Sequence, residues 1–262
     1  MLTFRKYGNT KNPTVILLHG GPAALGTVAP IAEELAGSFH VLEPFQRGSG
    51  KTPLTVKTHI KDLHQFIREQ SPLCKPSLAG ESWGAMLALA YGAAYPDTLK
   101  SLTLIGCGTF DKTSRAQMGK ILESRMTDEH QKALNEITQS SSTSQQQLLE
   151  KYKIIQAFYD YAPIPHGNNM EGEFDSKAHT ETWEDMLRQQ ELGVYPSSFT
   201  RINCPVSMIH GDYDPHPGSM IRDSLLPYIP QLKYYELEKC GHSPWYETYA
   251  REAFFHILKS SF

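Results

Sequence analysis

The chain has 262 residues, a formal net charge of -3, a pI of about 6.4, 40% hydrophobic residues and a mean hydropathy of -0.41. These values are typical of a soluble globular domain, and no basic block suggests nucleic acid or an anionic membrane as a partner. The N-terminus lacks the apolar core of a secretory signal, and no run of about 18 apolar residues predicts a transmembrane helix. The four cysteines form no CxxC pair, which argues against a zinc or redox motif. We therefore expect a cytoplasmic protein.

Short apolar runs alternate with helical patterns in chain order. Apolar runs of this length predict strands that are buried on both faces, and a 3.6-residue spacing of apolar side chains predicts the helices. Alternation of the two elements predicts an α/β fold, with a mostly parallel central sheet and helices on both faces. The predicted strands are 14–19, 39–44, 76–80, 101–106, 205–211 and 232–238, and the predicted helices are 56–70, 83–94 and 246–259.

The pattern changes between residues 111 and 199, which are polar, helix-prone and without a convincing strand. We interpret this stretch as a helical insertion into one core made of residues 1–110 and 200–262. Its segment 171–191 carries seven acidic and two basic residues. A solvated helix face is the favoured interpretation of these charges, and an acidic lining that attracts a substrate amine is the alternative.

The sequence Gly80-Glu81-Ser82-Trp83-Gly84 matches the G-x-S-x-G pattern of a nucleophile elbow. A predicted strand precedes the motif and a predicted helix follows it, as the sharp strand-to-helix turn requires. The small residues leave room for that turn, which exposes the serine hydroxyl. Ser82 is therefore the predicted nucleophile.

A serine hydroxyl needs a base that takes its proton, and the base needs a carboxylate that holds it in the right tautomer. In this architecture both follow the serine in the order acid, then histidine, on loops after strands. His242 follows the predicted strand 232–238 and is the expected base. The loop after strand 205–211 offers Asp212 and Asp214. We favour Asp214, because Asp212 directly follows the strand end and is well placed to bind amides of its own turn.

Two backbone amides should stabilise the oxyanion that forms during acyl transfer. One is the amide of Trp83, directly after the nucleophile, and the other is assigned to Gly21 in the loop after the first central strand. We expect His19 to be a buried, hydrogen-bonded residue at that strand end. Glu81 is expected to point away from the reacting face, and His216 to be a rim or turn residue.

With these motifs the chain resembles the α/β-hydrolases, in the serine hydrolase branch that includes the proline iminopeptidases. The resemblance implies a helical cap at 111–199 and a reaction that needs no metal or organic cofactor. Two positions depart from the usual pattern of that branch, since Ala23 follows Pro22 and Phe45 precedes Gln46. The matching motifs are HGGP, QRGSGKT, GESWGAMLALAYGAAYP, HGDYDPHP and CGHSPW.

We therefore expect hydrolysis of an ester, an amide or a short peptide through an acyl-enzyme intermediate. Carboxylesterase-like and aminopeptidase-like specificity both remain open, as does C–C bond hydrolysis by the same residues. A ligand-binding or receptor-like protein with little turnover is the alternative from another class, because one fold serves many functions.

Overall fold

The computed structural model describes residues 2–167 and 170–262, with side chains for all of these except 144, 145, 148, 149 and 152. Its strands are β1 (Phe4–Tyr7), β2 (Thr14–Leu18), β3 (His40–Pro44), β4 (Ser77–Glu81), β5 (Ser101–Ile105), β6 (Val206–Gly211) and β7 (Leu232–Leu237). They form one seven-stranded sheet in the order β1-β3-β2-β4-β5-β6-β7. Strand β1 pairs with β3 in the antiparallel direction, and the other neighbours pair in parallel.

The predicted α/β class is confirmed, and each predicted strand is present within about one residue of its expected bounds. Every residue of β4, β5 and β6 is buried, as expected of parallel strands covered on both faces. Strand β1 was not predicted. Its sequence FRKY is only partly buried, because it lies at the edge of the sheet, where polar side chains keep contact with water.

Helices cover both faces of the sheet, and alternate strand residues face opposite layers. The helices are α1 (Ala29–Leu35), α2 (Val56–Gln70), α3 (Trp83–Ala94), α4 (Lys112–Arg125), α5 (Asp128–Gln139), α6 (Ser144–Gln156), α7 (Ser176–Glu191), α8 (Gly218–Leu225) and α9 (Arg251–Ser260). Leu78 and Leu104 pack with α2 and α3 in one core cluster, whereas Ala79 and Ile105 pack with α1 and α9 in the other.

Predicted helices 56–70 and 83–94 have the bounds of α2 and α3, and α1 and α8 were not predicted. The last helix begins later than the predicted residue 246. Residues Pro244–Tyr246 form a short 3-10 turn, and α9 begins at Arg251. Between β5 and β6, the described residues form the helices α4 to α7. No strand is assigned between residues 111 and 199 in the described part of the chain, apart from an isolated bridge from Pro163 to Glu247.

Candidate active site

Ser82 lies at the turn between β4 and α3, with a backbone φ of +54° and ψ of -115°. Non-glycine residues seldom adopt a positive φ, and such strain persists only where surrounding packing imposes it. The neighbouring glycines supply that packing. A Cβ on Gly80 would lie 2.2 Å from the Gly84 carbonyl oxygen, and one on Gly84 would lie 2.5 Å from the Leu18 oxygen. The G-x-S-x-G spacing thus allows backbone segments to touch where side chains would collide.

The structure brings His242 and Asp214 together. Nδ1 of His242 lies 2.6 Å from Oδ2 of Asp214, and both residues are buried. Asp212, the other carboxylate of the same loop, is exposed and accepts the N–H of Cys240 at 3.1 Å. Asp214 is therefore the residue next to the imidazole. The Asp212 side chain instead joins the loop after β6 to the loop after β7, by accepting a backbone N–H.

Three histidine rings surround the Asp214 carboxylate. Oδ1 accepts the His216 backbone N–H at 2.9 Å and lies 2.9 Å from Nδ1 of the same residue, and Oδ2 lies 3.2 Å from Nε2 of His210. Burial by itself raises the pKa of Asp214, but attraction to His242, His210 and His216 brings it well below its usual range. The carboxylate therefore stays charged at neutral pH.

His216 was predicted to be a rim or turn residue; it lies in the bend between β6 and α8, and it is buried rather than at a rim. Its ring stacks on that of His242 with centroids 4.8 Å apart. Asp214, His216 and His242 also offer metal-type ligand atoms within 4.8 Å of one another. In the structure the carboxylate is the shared hydrogen-bond partner of both rings, so a metal would have to replace these contacts.

Glu81 does not point away from the reacting face, and that expectation was wrong. Its Oε1 lies 3.3 Å from Nε2 of His242. Burial by itself lowers the pKa of His242, but Asp214 and Glu81 raise it well above its usual range. Within the described ranges 2–167 and 170–262, no hydrogen bond joins the hydroxyl of Ser82 to His242.

Gln46 connects the loop of Gly21 to the start of α3. Its side chain donates to the His19 carbonyl at 3.3 Å and accepts the indole N–H of Trp83 at 2.8 Å. Its backbone N–H donates to Nε2 of His19 at 3.2 Å, which leaves the His19 proton on Nδ1, beside the Gly20 carbonyl. His19 is fully buried, as predicted, and burial lowers its pKa to about 4. Gly21 has a φ of +22°, within the region that favours glycine.

The segment after α6 contacts the His242 loop directly. The His242 backbone N–H donates to the Tyr159 carbonyl at 2.8 Å. The fully buried carboxylate of Glu247 accepts the N–H groups of Tyr161, Ala162 and Gly241 at 2.6, 2.7 and 2.7 Å. Sequence reasoning missed Glu247, because its partners Tyr161 and Ala162 lie about 85 positions away in the chain.

Three acidic residues of α7 and its N-cap accept backbone N–H groups. Asp175 accepts the N–H of Ser49 at 2.7 Å, and Asp185 accepts that of Val56 at 2.8 Å. Glu181 accepts a third backbone N–H of the same loop at 2.8 Å. These three carboxylates join α7 to the loop before α2 and to the first residue of α2. Glu184 of the same helix is exposed and Met186 is buried, as the solvated helix face predicts.

A family model described as the alpha/beta hydrolase fold matches residues 13–248. The chain therefore belongs to the α/β-hydrolase fold family. No helix in the described part of the chain is long and apolar enough to cross a membrane.

Similarity to individual proteins is modest. A proline iminopeptidase of Lactobacillus helveticus is 33% identical over 106 residues, so the chain matches only 36% of that relative's length and 36% of its own. A pimeloyl-[acyl-carrier protein] methyl ester esterase of Chromobacterium violaceum is 23% identical over 235 residues, which are 90% of this chain and 89% of that protein. An esterase structure from Thermogutta terrifontis has a TM-score of 0.65 at 20% identity, covering 99% of this chain and 92% of that one. A likeness at this identity shows the fold alone.

Proposed function

We propose that the protein is a serine hydrolase that cleaves an ester or amide bond of a small substrate through an acyl-enzyme intermediate. The observation that carries the proposal is the buried Asp214–His242 pair at 2.6 Å. It lies at the carboxyl end of the sheet, where β4 also delivers the strained Ser82. Parallel strands bring their carboxyl ends to one edge, and such a crevice is where α/β proteins bind ligands.

In the proposed reaction, Ser82 Oγ attacks the substrate carbonyl carbon while Nε2 of His242 accepts the hydroxyl proton. Asp214 holds the imidazole through Nδ1 and stabilises its charged form. The amides of Gly21 and Trp83 stabilise the oxyanion, a contribution of about 3 kcal/mol per donor in well-studied cases. His242 then protonates the leaving group, and water releases the acid from Ser82 by the same route. This sequence uses no metal or organic cofactor.

We propose a small carboxylic ester as the first substrate class. The full-length similarity to a methyl ester esterase supports this choice, whereas the iminopeptidase similarity spans about a third of the chain. The carboxylates of Asp175, Glu181 and Asp185 already bind backbone N–H groups, so they are poor candidates for holding a substrate amine. Residues 111–199 are proposed to form the cap that selects the substrate.

A fluorophosphonate probe tests the proposal at the nucleophile. Mass spectrometry of the treated protein should find the label on Ser82, and Ser82→Ala should abolish it. Ser219→Ala, which removes an exposed serine on another helix, should label like the wild type. An unlabelled Ser82 would contradict the proposal and favour a ligand-binding protein.

A substrate panel tests the substrate class. Short acyl p-nitrophenyl esters should be hydrolysed, and prolyl or alanyl arylamides should be turned over at least about tenfold more slowly. Hydrolysis confined to arylamides with a free α-amine would contradict the ester proposal and establish an aminopeptidase.

A further inference from the structure

Glu81 contacts the Nε2 side of His242, the proposed base. The residue is the last of β4 and directly precedes Ser82, and its side chain is only 10% exposed. Its Oε1 lies 3.3 Å from Nε2 of His242. In the proposed reaction that same nitrogen receives the proton of Ser82, so a protonated Nε2 bound to a carboxylate competes directly with the reaction.

Gly20 makes room for this carboxylate. A Cβ at position 20 would lie 1.8 Å from Oε2 of Glu81, so any larger residue there would force the carboxylate out of its present position. Because Gly20, the first glycine of HGGP, has no side chain, the Glu81 carboxylate can lie beside its backbone. The contact with His242 is thus built by two segments, the loop after β2 and the end of β4, and does not depend on an exposed side chain with free rotation.

We propose that Glu81 is a positioning residue that holds the Nε2 proton of His242 in the free protein. The imidazole then becomes a base for Ser82 only after this proton has left to water. The inference rests on the proposed function, because it assigns a state of the base before the substrate arrives.

The charges around His242 give the direction of the effect. Burial disfavours the charged ring, and the contacts with Asp214 and Glu81 outweigh it, so the pKa of His242 is raised well above its usual value. A raised pKa means that the base form of the ring appears only at a higher pH than in an ordinary histidine. Among the described residues, the titratable groups that face or electrostatically influence the ring are Asp214, Glu81, Asp160, Tyr159, His210 and His216.

Glu81→Gln tests the proposal, because it removes the charge and keeps the size of the side chain. An opposite charge at this distance shifts a pKa by about one unit or more. The rate at which a fluorophosphonate labels Ser82 should rise with pH as His242 loses its proton. The midpoint of this rise, the acid limb of the profile, should therefore move down by about one pH unit in the variant. At a pH below both limbs, labelling should become about tenfold faster than in the wild type. A residue that only fills space beside Gly20 would not produce this gain.

NMR titration of the His242 ring gives a second readout that needs no reaction at Ser82. The wild-type ring should titrate above the ordinary histidine value of about 6.5, and Glu81→Gln should lower that midpoint by about one unit. Glu238→Gln, which removes an exposed charge from the loop before His242, should change neither measurement.

Three outcomes would overturn the inference. These are equal midpoints in the wild type and Glu81→Gln, an unchanged acid limb, and a wild-type midpoint at or below about 6.5, the ordinary value for histidine. The last measurement can overturn the inference even if Glu81→Gln does not fold. Absence of labelling at every pH, with a His242 titration that depends on Glu81, would contradict the serine hydrolase proposal and leave the role of Glu81 in place.

Discussion

Replacing Glu247 by glutamine should destabilise the protein and disturb His242 together. The wild-type carboxylate accepts three backbone N–H groups, from Tyr161, Ala162 and Gly241, within 2.7 Å, and is fully buried. An amide of the same size keeps one acceptor oxygen, which can serve Tyr161 and Gly241. Its NH₂ group then faces the N–H of Ala162, donor against donor.

The magnitude follows from these contacts. Hydrogen bonds to a charged group contribute about 1.5–3 kcal/mol each, and an unsatisfied donor costs about 1–3 kcal/mol. One lost bond and two weakened ones give an expected loss of about 3 kcal/mol for Glu247→Gln. Because Gly241 directly precedes His242, labelling of Ser82 should also slow at a temperature where the variant remains folded.

Urea unfolding measures the first effect and fluorophosphonate labelling the second. Glu238→Gln removes an exposed carboxylate from the preceding loop and should change the free energy of unfolding by less than about 0.5 kcal/mol. A Glu247→Gln variant within about 1 kcal/mol of the wild type would refute the reasoning, since it would mean that water or a shifted backbone replaces the carboxylate at little cost.

Other substitutions test separate parts of the structure. Burial lowers the pKa of His59 to about 4. As the pH falls below about 6.5, His59 is therefore protonated in the unfolded chain before it is protonated in the folded protein, and the free energy of unfolding falls until about pH 4. His59→Gln should reduce the loss of unfolding free energy measured between pH 7 and 5 by about 2 kcal/mol. Gly80→Ala places a Cβ 2.2 Å from a backbone carbonyl and should cost about 3 kcal/mol or more in urea unfolding, whereas Gly119→Ala, in a helix with open space around it, should be neutral or stabilising. Gln46→Leu leaves the buried indole N–H of Trp83 without its 2.8 Å acceptor and should cost about 1–3 kcal/mol, with slower labelling of Ser82.

The parts of the fold that depend on residues close together in the chain could be predicted from local sequence patterns. The elbow at Ser82 was predictable because its glycines lie two positions away and its strand and helix are adjacent. The apolar runs of β4 to β6 were predictable because burial on both faces leaves little room for polar residues.

The missed features depend on contacts between distant segments. Glu81 follows the alternation of β4, but its direction is set by the space beside Gly20, 61 positions earlier. Glu247 was included in a predicted helix, yet its side chain binds the segment 161–162 and the helix begins four residues later. Neither contact has a periodic signal, since each is created only when the loops meet.

The helices α4 to α7, between β5 and β6, include a part that can be exchanged without moving the proposed reacting groups. Their segment leaves the sheet after one strand and returns to the next one in the sheet order, and Ser82, Asp214 and His242 all lie outside it. A chimera that exchanges residues 127–157 for a foreign helical pair would keep every proposed reacting group on its own strand or loop. Arg125, which donates to the Tyr213 carbonyl at 2.6 Å, and the stretch 158–162 would remain as the native joints of the graft. If residues 111–199 form the proposed cap, such a chimera would take its substrate choice from one protein and its reacting groups from another.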